Sequence, residues 1–138
     1  GPRELGVKVL DTPGPGHVPV VVGCSRRLIA ADRHLVARVV QGYVEAIHFF
    51  KTKRSDVIPV LQQFLMFKDR SAVEEAYAFY APLLQPLPRP SGAGLQTLLQ
   101  DLRRNQSSTV PVWPTGMLQS SFLDELEKAG FAEALYRR

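Results

Sequence analysis

The residues of this chain that are capable of nucleophilic or metal chemistry are one cysteine and three histidines. Cys24 precedes Ser25 and two arginines, and a thiol beside cations at the start of a helix can ionise and act as a nucleophile. However, no histidine lies near it in the sequence to serve as a base, and free cysteines are among the most frequently buried residues. We therefore predict that Cys24 is an inert packing residue.

The histidines His17, His34 and His48 do not have the spacing of a metal site. The last two are too far apart to share an ion, because the fourteen residues between them rise about 21 Å along one helix. Acidic pairs at Glu74–Glu75 and Asp124–Glu125 stand at predicted helix starts, where the helix dipole favours them, and do not suggest acid–base catalysis. These patterns predict no catalytic residue, no metal site and no cofactor.

Two apolar segments at the start of the chain are typical of β-strands. They are Val7 to Thr12 and Val18 to Ser25, and the second contains three consecutive valines, which indicates a strand covered on both faces. Between them, Pro13 to His17 alternates proline with glycine and predicts a turn. Because a two-stranded sheet is marginal alone, we expect the sheet to have further strands outside this chain.

From Arg26 onward the sequence pattern is helical, and its longest helix has a broad apolar face. The apolar positions recur at helical spacing, at Leu35, Val36, Val39, Val40, Tyr43, Val44, Ile47 and Phe50. The opposite side is polar, with Arg33, His34, Arg38, Gln41, Glu45 and His48. We expect the apolar face to pack against a large apolar surface.

Capping residues predict where the helices begin and end. In the first part of the chain we expect helices over Arg26–Ala31, directly after Asp32 to about Lys53, and over about 56–66 with Ser55 as its cap. A further helix begins at the capping box Ser71–Glu74. Later in the chain we expect helices from Leu95 to about Asn105, from Ser121 to Gly130, and over 131–136.

Length and composition fit one globular domain. The chain has 138 residues, of which 45% are hydrophobic and 22% charged. No apolar run approaches the ~20 residues that span a bilayer. The net charge of +4 is dispersed in short clusters at helix ends, which predicts no nucleic-acid partner. No secretory signal is visible, and Gly1-Pro2 looks like the scar of a cleaved tag.

Six pieces of sequence occur in a characteristic order. A glycine-rich turn and a segment ending in Ser25-Arg26-Arg27 are followed by YVEAIHFFKTKRSDVI (43–58), EEAYAFY (74–80), PRPSGAGLQTLL (88–99) and SFLDELEKAGF (121–131). This order resembles the C-terminal part of the extracytoplasmic substrate-binding proteins of ABC transporters, in the nitrate/sulfonate/taurine and thiamine-pyrimidine-precursor group. The chain departs from the family at Gly23-Cys24, where members usually carry a Thr-Thr or similar pair.

The resemblance implies an α/β, helix-dominated fold: a partial periplasmic-binding-protein type II lobe with two short N-terminal strands followed by about six helices. It implies a single partial domain over 1–138, in which 3–19 would be the end of lobe two and the hinge, and 20–138 the C-terminal part of lobe one. The hinge would place Gly16 and His17 beside the ligand cleft.

The resemblance also implies a function that involves binding without catalysis. The intact protein would capture a small molecule by closure of its lobes and deliver it to an ABC permease, in the periplasm or another extracytoplasmic space. It would not be an enzyme. Most ligand contacts would belong to a part of the family pattern that this chain does not contain.

An alternative from another class is a free-standing helical protein-interaction module that self-associates through exposed apolar faces. Both hypotheses predict an oligomer of this chain, with Val7–Thr12 and Val18–Ser25 paired between copies to protect the strand edges.

Overall fold

The computed structural model describes residues 22–89, 91–94, 96–97, 100 and 118–137. Its helices are α1 (Arg26–Ala31), α2 (Arg33–Thr52), α3 (Arg54–Phe64), α4 (Arg70–Tyr80), a 3-10 helix (Ala81–Leu83), α5 (Ser121–Lys128) and α6 (Phe131–Tyr136). Residues 92–94, 96–97 and 100 are also helical. α2 is the central element, because α1, α3, the 3-10 helix, α5 and α6 all contact it.

The α/β fold, with its partial type II lobe and two N-terminal strands, is wrong for the part of the chain that the structure describes. That part is 75% helical and contains no β-strand. The predicted strand Val18–Ser25 enters it at Val22, which is 62% exposed and not in a strand. Ser25 instead caps α1, since its hydroxyl accepts a hydrogen bond from the Leu28 N–H at 3.1 Å. The other predicted strand, Val7–Thr12, lies outside the described residues.

The boundary between α1 and α2 is decided by one side chain. Asp32 ends α1 and starts α2, and its carboxylate accepts a hydrogen bond from the Leu35 N–H at 2.9 Å. A carboxylate at this position satisfies one of the free amide groups of the first turn and is favoured by the helix dipole. The predicted short helix over Arg26–Ala31 is therefore confirmed, as is the start of the long helix directly after Asp32.

The predicted caps of α3 and α4 are wrong. α3 begins at Arg54, one residue before Ser55, and no side chain caps it. α4 begins at Arg70 because Asp69 caps it, with its carboxylate accepting hydrogen bonds from the Ser71 N–H at 2.9 Å and the Ser71 hydroxyl at 2.8 Å. These bonds lower the pKa of Asp69 and occupy the serine that the predicted capping box required.

A small apolar core joins α3 to α4. Val57 and Ile58 of α3 pack with Val73 and Tyr77 of α4, and Phe50, Leu61 and Ala81 surround them. The Tyr77 ring stacks on Phe50 with 5.0 Å between ring centroids, and its hydroxyl donates a hydrogen bond to the Phe50 carbonyl at 2.8 Å. The end of α2 is thereby attached to α4 by apolar and polar contacts together.

Lys51 connects α2 to the segment that follows α4. Its ammonium group donates hydrogen bonds to the carbonyl oxygens of Ala81 at 2.9 Å and Leu84 at 2.7 Å. α4 ends at Tyr80, and the 3-10 helix that follows it carries Pro82 near its start. The lysine thus satisfies carbonyl groups beyond the end of α4, where a regular helix no longer supplies N–H donors.

The C-terminal helices α5 and α6 cover another side of α2. Phe122, Leu123 and Ala132 are buried there. The Arg33 guanidinium lies 4.3 Å from the centre of the Phe122 ring and pairs with Glu125. The turn between α5 and α6 contains Gly130 at φ +64°, a left-handed conformation that suits glycine and confirms the predicted end of the helix.

Candidate functional site

The central helix α2 has two apolar faces, although one broad buried face was predicted. Val36, Val44 and Ile47 are buried against the neighbouring helices. Val39 and Phe49, by contrast, are 53% and 46% exposed. The prediction placed Val39 on the same face as Val36, Val44 and Ile47 because these positions are adjacent around the helix, and it did not assign Phe49 to that face. The neighbouring helices cover only part of that arc.

Beside the exposed face of α2 lies an open cavity between α2 and α3, here called the α2–α3 groove. Its volume is about 410 Å³. It is lined by Gly42, Glu45, Ala46, Phe49 and Phe50 of α2 and by Val57, Val60 and Leu61 of α3. Seven of these eight residues are glycine or have apolar side chains, so the groove suits an apolar partner better than a charged ligand.

On the α2 side of the groove little side-chain volume projects outward, because the central residues are small. A Cβ atom placed on Gly42 would meet no atom of the described residues within 4 Å, and Ala46, one turn further on, is exposed. Glu45 is the charged group at the rim, and its carboxylate accepts a hydrogen bond from the Gln41 amide at 3.1 Å. A second helix can therefore approach α2 closely along this line.

The apolar surface continues from the groove along α3 into the turn after it. Val60 and Phe64 lie one turn apart on the same side of α3, and they are 61% and 81% exposed. Leu65, Met66 and Phe67 follow, with 43%, 86% and 50% of their surfaces exposed. We call residues 64–67 the apolar turn; Met66 has φ +54° in it, a left-handed conformation that costs a residue with a side chain roughly 1 kcal/mol.

A separate polar cluster attaches the proline-rich connector to α5. The Arg89 guanidinium donates hydrogen bonds to Asp124 at 2.5 Å and to Glu127 at 2.6 Å. These contacts raise the pKa of Arg89 and lower that of Asp124, because each charge is stabilised by the opposite one. The three side chains are solvent-accessible, so the cluster is a surface attachment of the connector.

Acidification is expected to release Arg89 from α5. The hydrogen bond from Arg89 lowers the pKa of Asp124 below its ordinary value of 3.8, so the pair stabilises the attached connector above that pH and is lost as the pH falls through the lowered pKa. In an NMR titration, the substitution Arg89→Gln should raise the pKa of Asp124 toward 3.8. The pKa of Asp69, which depends on Ser71, should not respond. An unchanged pKa for Asp124 would contradict the assignment.

Of the residues that the sequence singled out, those that the structure describes do not come together in a site. Gly16 and His17, the predicted cleft or hinge residues, lie outside the described residues. Cys24 is exposed, so the prediction that it packs in the interior is wrong; it lies just before α1, where no described element covers it. His34 is exposed, whereas His48 is half-buried with its ring edge-to-face against Tyr136 at 4.7 Å. The tyrosine hydroxyl has a raised pKa because it is partly desolvated.

The residues that the structure describes contain no group of three or more histidine, cysteine or acidic side chains able to hold a metal ion. No helix among them is both long and apolar enough to cross a membrane.

Sequence reasoning missed the groove and the apolar turn. The signal for the turn was present, since Phe64-Leu-Met-Phe67 is a run of four apolar residues just beyond the end of a helical pattern. The groove had no comparable signal, because it depends on how α3 lies against α2. No protein-family model, curated protein or solved structure matches this chain.

Proposed function

We propose that this chain is a helical protein-interaction module that self-associates, and that it works by burying the α2–α3 groove and the apolar turn against another protein surface. The observation that carries the proposal is the large number of apolar side chains that are exposed, compared with the number that are buried. Among the described residues, ten hydrophobic side chains are buried, while sixteen large ones are exposed. Five of the exposed side chains, Val60 and Phe64 to Phe67, follow one another along α3 and the turn after it. A grouped apolar patch of this kind marks an interaction surface, whereas scattered exposed residues do not.

The position of the exposed residues supports binding over catalysis. Val60, Leu61 and Phe64 form one side of α3, and Gly42 and Phe49 lie across the groove from them. Burying one such aliphatic or aromatic side chain contributes about 1.5–3 kcal/mol, so a few of them suffice for specific association. The described part contains no group of three or more histidine, cysteine or acidic side chains that could hold a metal ion.

Sedimentation of the chain with two matched variants tests the proposal. Val60→Ser in the groove should weaken self-association by about tenfold or more, since it removes apolar area from the interface. Val22→Ser should have little effect, because Val22 is equally exposed at 62% against 61% but lies outside the surface. A chain that stays monomeric at high concentration, or equal effects of the two variants, would contradict the proposal.

A second candidate function is the one that the family resemblance implies. We propose it on the order of the motifs: Tyr43–Ile58, Glu74–Tyr80 and Ser121–Phe131 fall on α2 and α3, on α4, and on α5 and α6. In this case the groove would pack against the rest of a solute-binding protein that serves an ABC permease outside the cytoplasm. Calorimetry on the protein from the complete gene would then detect binding of a small anion, sulfonate or pyrimidine. No binding across these classes would count against this candidate and leave the first intact.

A further inference from the structure

We propose that the exposed face of α2 pairs with α2 of a second copy in antiparallel orientation, with Arg38 of each copy beside Glu45 of the other. The pair would be related by a two-fold axis that passes between Gln41 and Gly42. This inference rests on the proposed self-association and adds its partner surface, its orientation and the residues that select them.

The exposed side chains of α2 lie in lines along the helix. An α-helix turns about 100° per residue, so residues seven apart lie almost on one line. Leu35, Gly42 and Phe49 form such a line along the middle of the exposed face. Arg38 and Glu45 form a second line at one edge, and all five residues are exposed. The face therefore has an apolar centre and an edge with one charge of each sign.

The two charges of this edge are placed symmetrically along α2. Arg38 and Glu45 lie at equal distances, about 5 Å along the helix axis, on either side of the midpoint between Gln41 and Gly42. A two-fold axis through that midpoint places Arg38 at the level of Glu45 in the second copy and keeps both on the same edge. The contact occurs twice, because a two-fold interface is self-complementary.

Parallel pairing would not bring these charges together. A two-fold axis along the helices would place the charged edges of the two copies on opposite sides of the interface, so neither Arg38 nor Glu45 would meet a charged residue of the same pair in the other copy. Antiparallel pairing brings the two edges together and supplies two attractive contacts that parallel pairing lacks. The charge pattern of α2 therefore selects one of the two ways in which the same apolar centre can be buried.

Both charges are available for pairing between copies. Arg38 forms no ion pair within the described part of the chain, and the partner of Glu45 there is the neutral amide of Gln41. The acidic residues Glu74 and Glu125, by contrast, are paired with arginines of their own chain. Arg38 and Glu45 can thus pair between copies without breaking a salt bridge within one.

Small residues of α2 leave space for a close approach of the second helix. Helices pack at 8–10 Å between axes, and the shorter distances require small residues at the crossing point. Gly42 lies beside the proposed axis, with open space where its Cβ would be, and the small residue Ala46 follows one turn later. The crossing point and the midpoint of the charge pattern coincide.

Charge reversal tests the orientation directly. In sedimentation experiments, Arg38→Glu and Glu45→Arg should each weaken self-association roughly tenfold, since each turns two attractive contacts into repulsive ones. The double variant Arg38→Glu/Glu45→Arg should recover the original affinity, because the pairs are restored with their signs exchanged. An equimolar mixture of the two single variants should form a heterodimer more tightly than either variant pairs with itself.

The controls separate this inference from the proposed function. Arg27→Glu makes the same charge change on α1 and should leave association unchanged, and circular dichroism shows whether each variant is folded. If Val60→Ser weakens association but the charge reversals do not, the interaction surface stands and the antiparallel register is overturned. If the double variant is no better than the singles, the pairing is likewise overturned. If the unmodified chain is monomeric, both proposals fail.

Discussion

Replacing Ile58 with alanine is expected to lower the free energy of unfolding by about 2–5 kcal/mol, which is a large share of the 5–15 kcal/mol typical of a whole domain. Ile58 is 1% exposed and belongs to the core cluster that joins α3 to α4. The loss has two parts, the apolar surface that is no longer buried and the cavity that remains. Urea denaturation followed by circular dichroism measures the change.

The matched control for Ile58→Ala is Val60→Ala on the same helix. Val60 is 61% exposed in the monomer, so its truncation leaves no cavity and should change the stability of the monomer by no more than ~0.5 kcal/mol. The comparison must be made at a concentration where the chain is monomeric, because association would stabilise the folded state. Similar losses for the two variants would mean that Ile58 is not a core residue.

Replacing Lys51 with methionine is expected to cost about 1.5–3 kcal/mol. Methionine keeps most of the apolar length of the side chain but removes the ammonium group that donates to the carbonyl oxygens of Ala81 and Leu84. Those hydrogen bonds are partly buried, so water replaces the lost donor only in part. The segment after α4 should then exchange its amide hydrogens faster, which hydrogen exchange followed by NMR detects.

Lys53→Met serves as the control for Lys51→Met. Lys53 is exposed and caps α2 through its backbone alone, so the same change of side chain should alter stability little. An equal effect at both positions would show that the loss comes from a change in net charge and not from the two carbonyl contacts.

The parts of the fold that the sequence predicted correctly are those decided within a few residues. Asp32 starts α2 because its carboxylate reaches an amide three residues on, and Gly130 ends α5 because it adopts a left-handed conformation. Arg26–Ala31 and Phe131–Tyr136 have the predicted bounds for the same local reasons. The cap of α4 could not be predicted in this way. Asp69 and Ser71 are both suitable capping residues, and in the structure the Asp69 carboxylate caps the helix.

The candidate site was predictable only in its residue types. The sequence identified α2 as broadly apolar, but it could not tell that Val36 and Ile47 would be covered while Val39 and Phe49 would not. That division depends on where α3, α5 and α6 lie around α2, and each of those positions depends on contacts between residues far apart in sequence, such as Phe50 with Tyr77.

The sequence alone therefore determined the local structure, that is, where most helices begin and end and which residue types they carry. Tertiary structure alone decided which apolar side chains are buried, that Val22 and Cys24 precede a helix as exposed residues, and that a groove opens beside Gly42. The physical reason is the distance along the chain over which each feature is determined. A cap or a turn is one hydrogen bond or one dihedral angle, whereas burial is a property of the whole set of neighbours, and valine is equally suited to a covered strand, a helix interior or a contact surface.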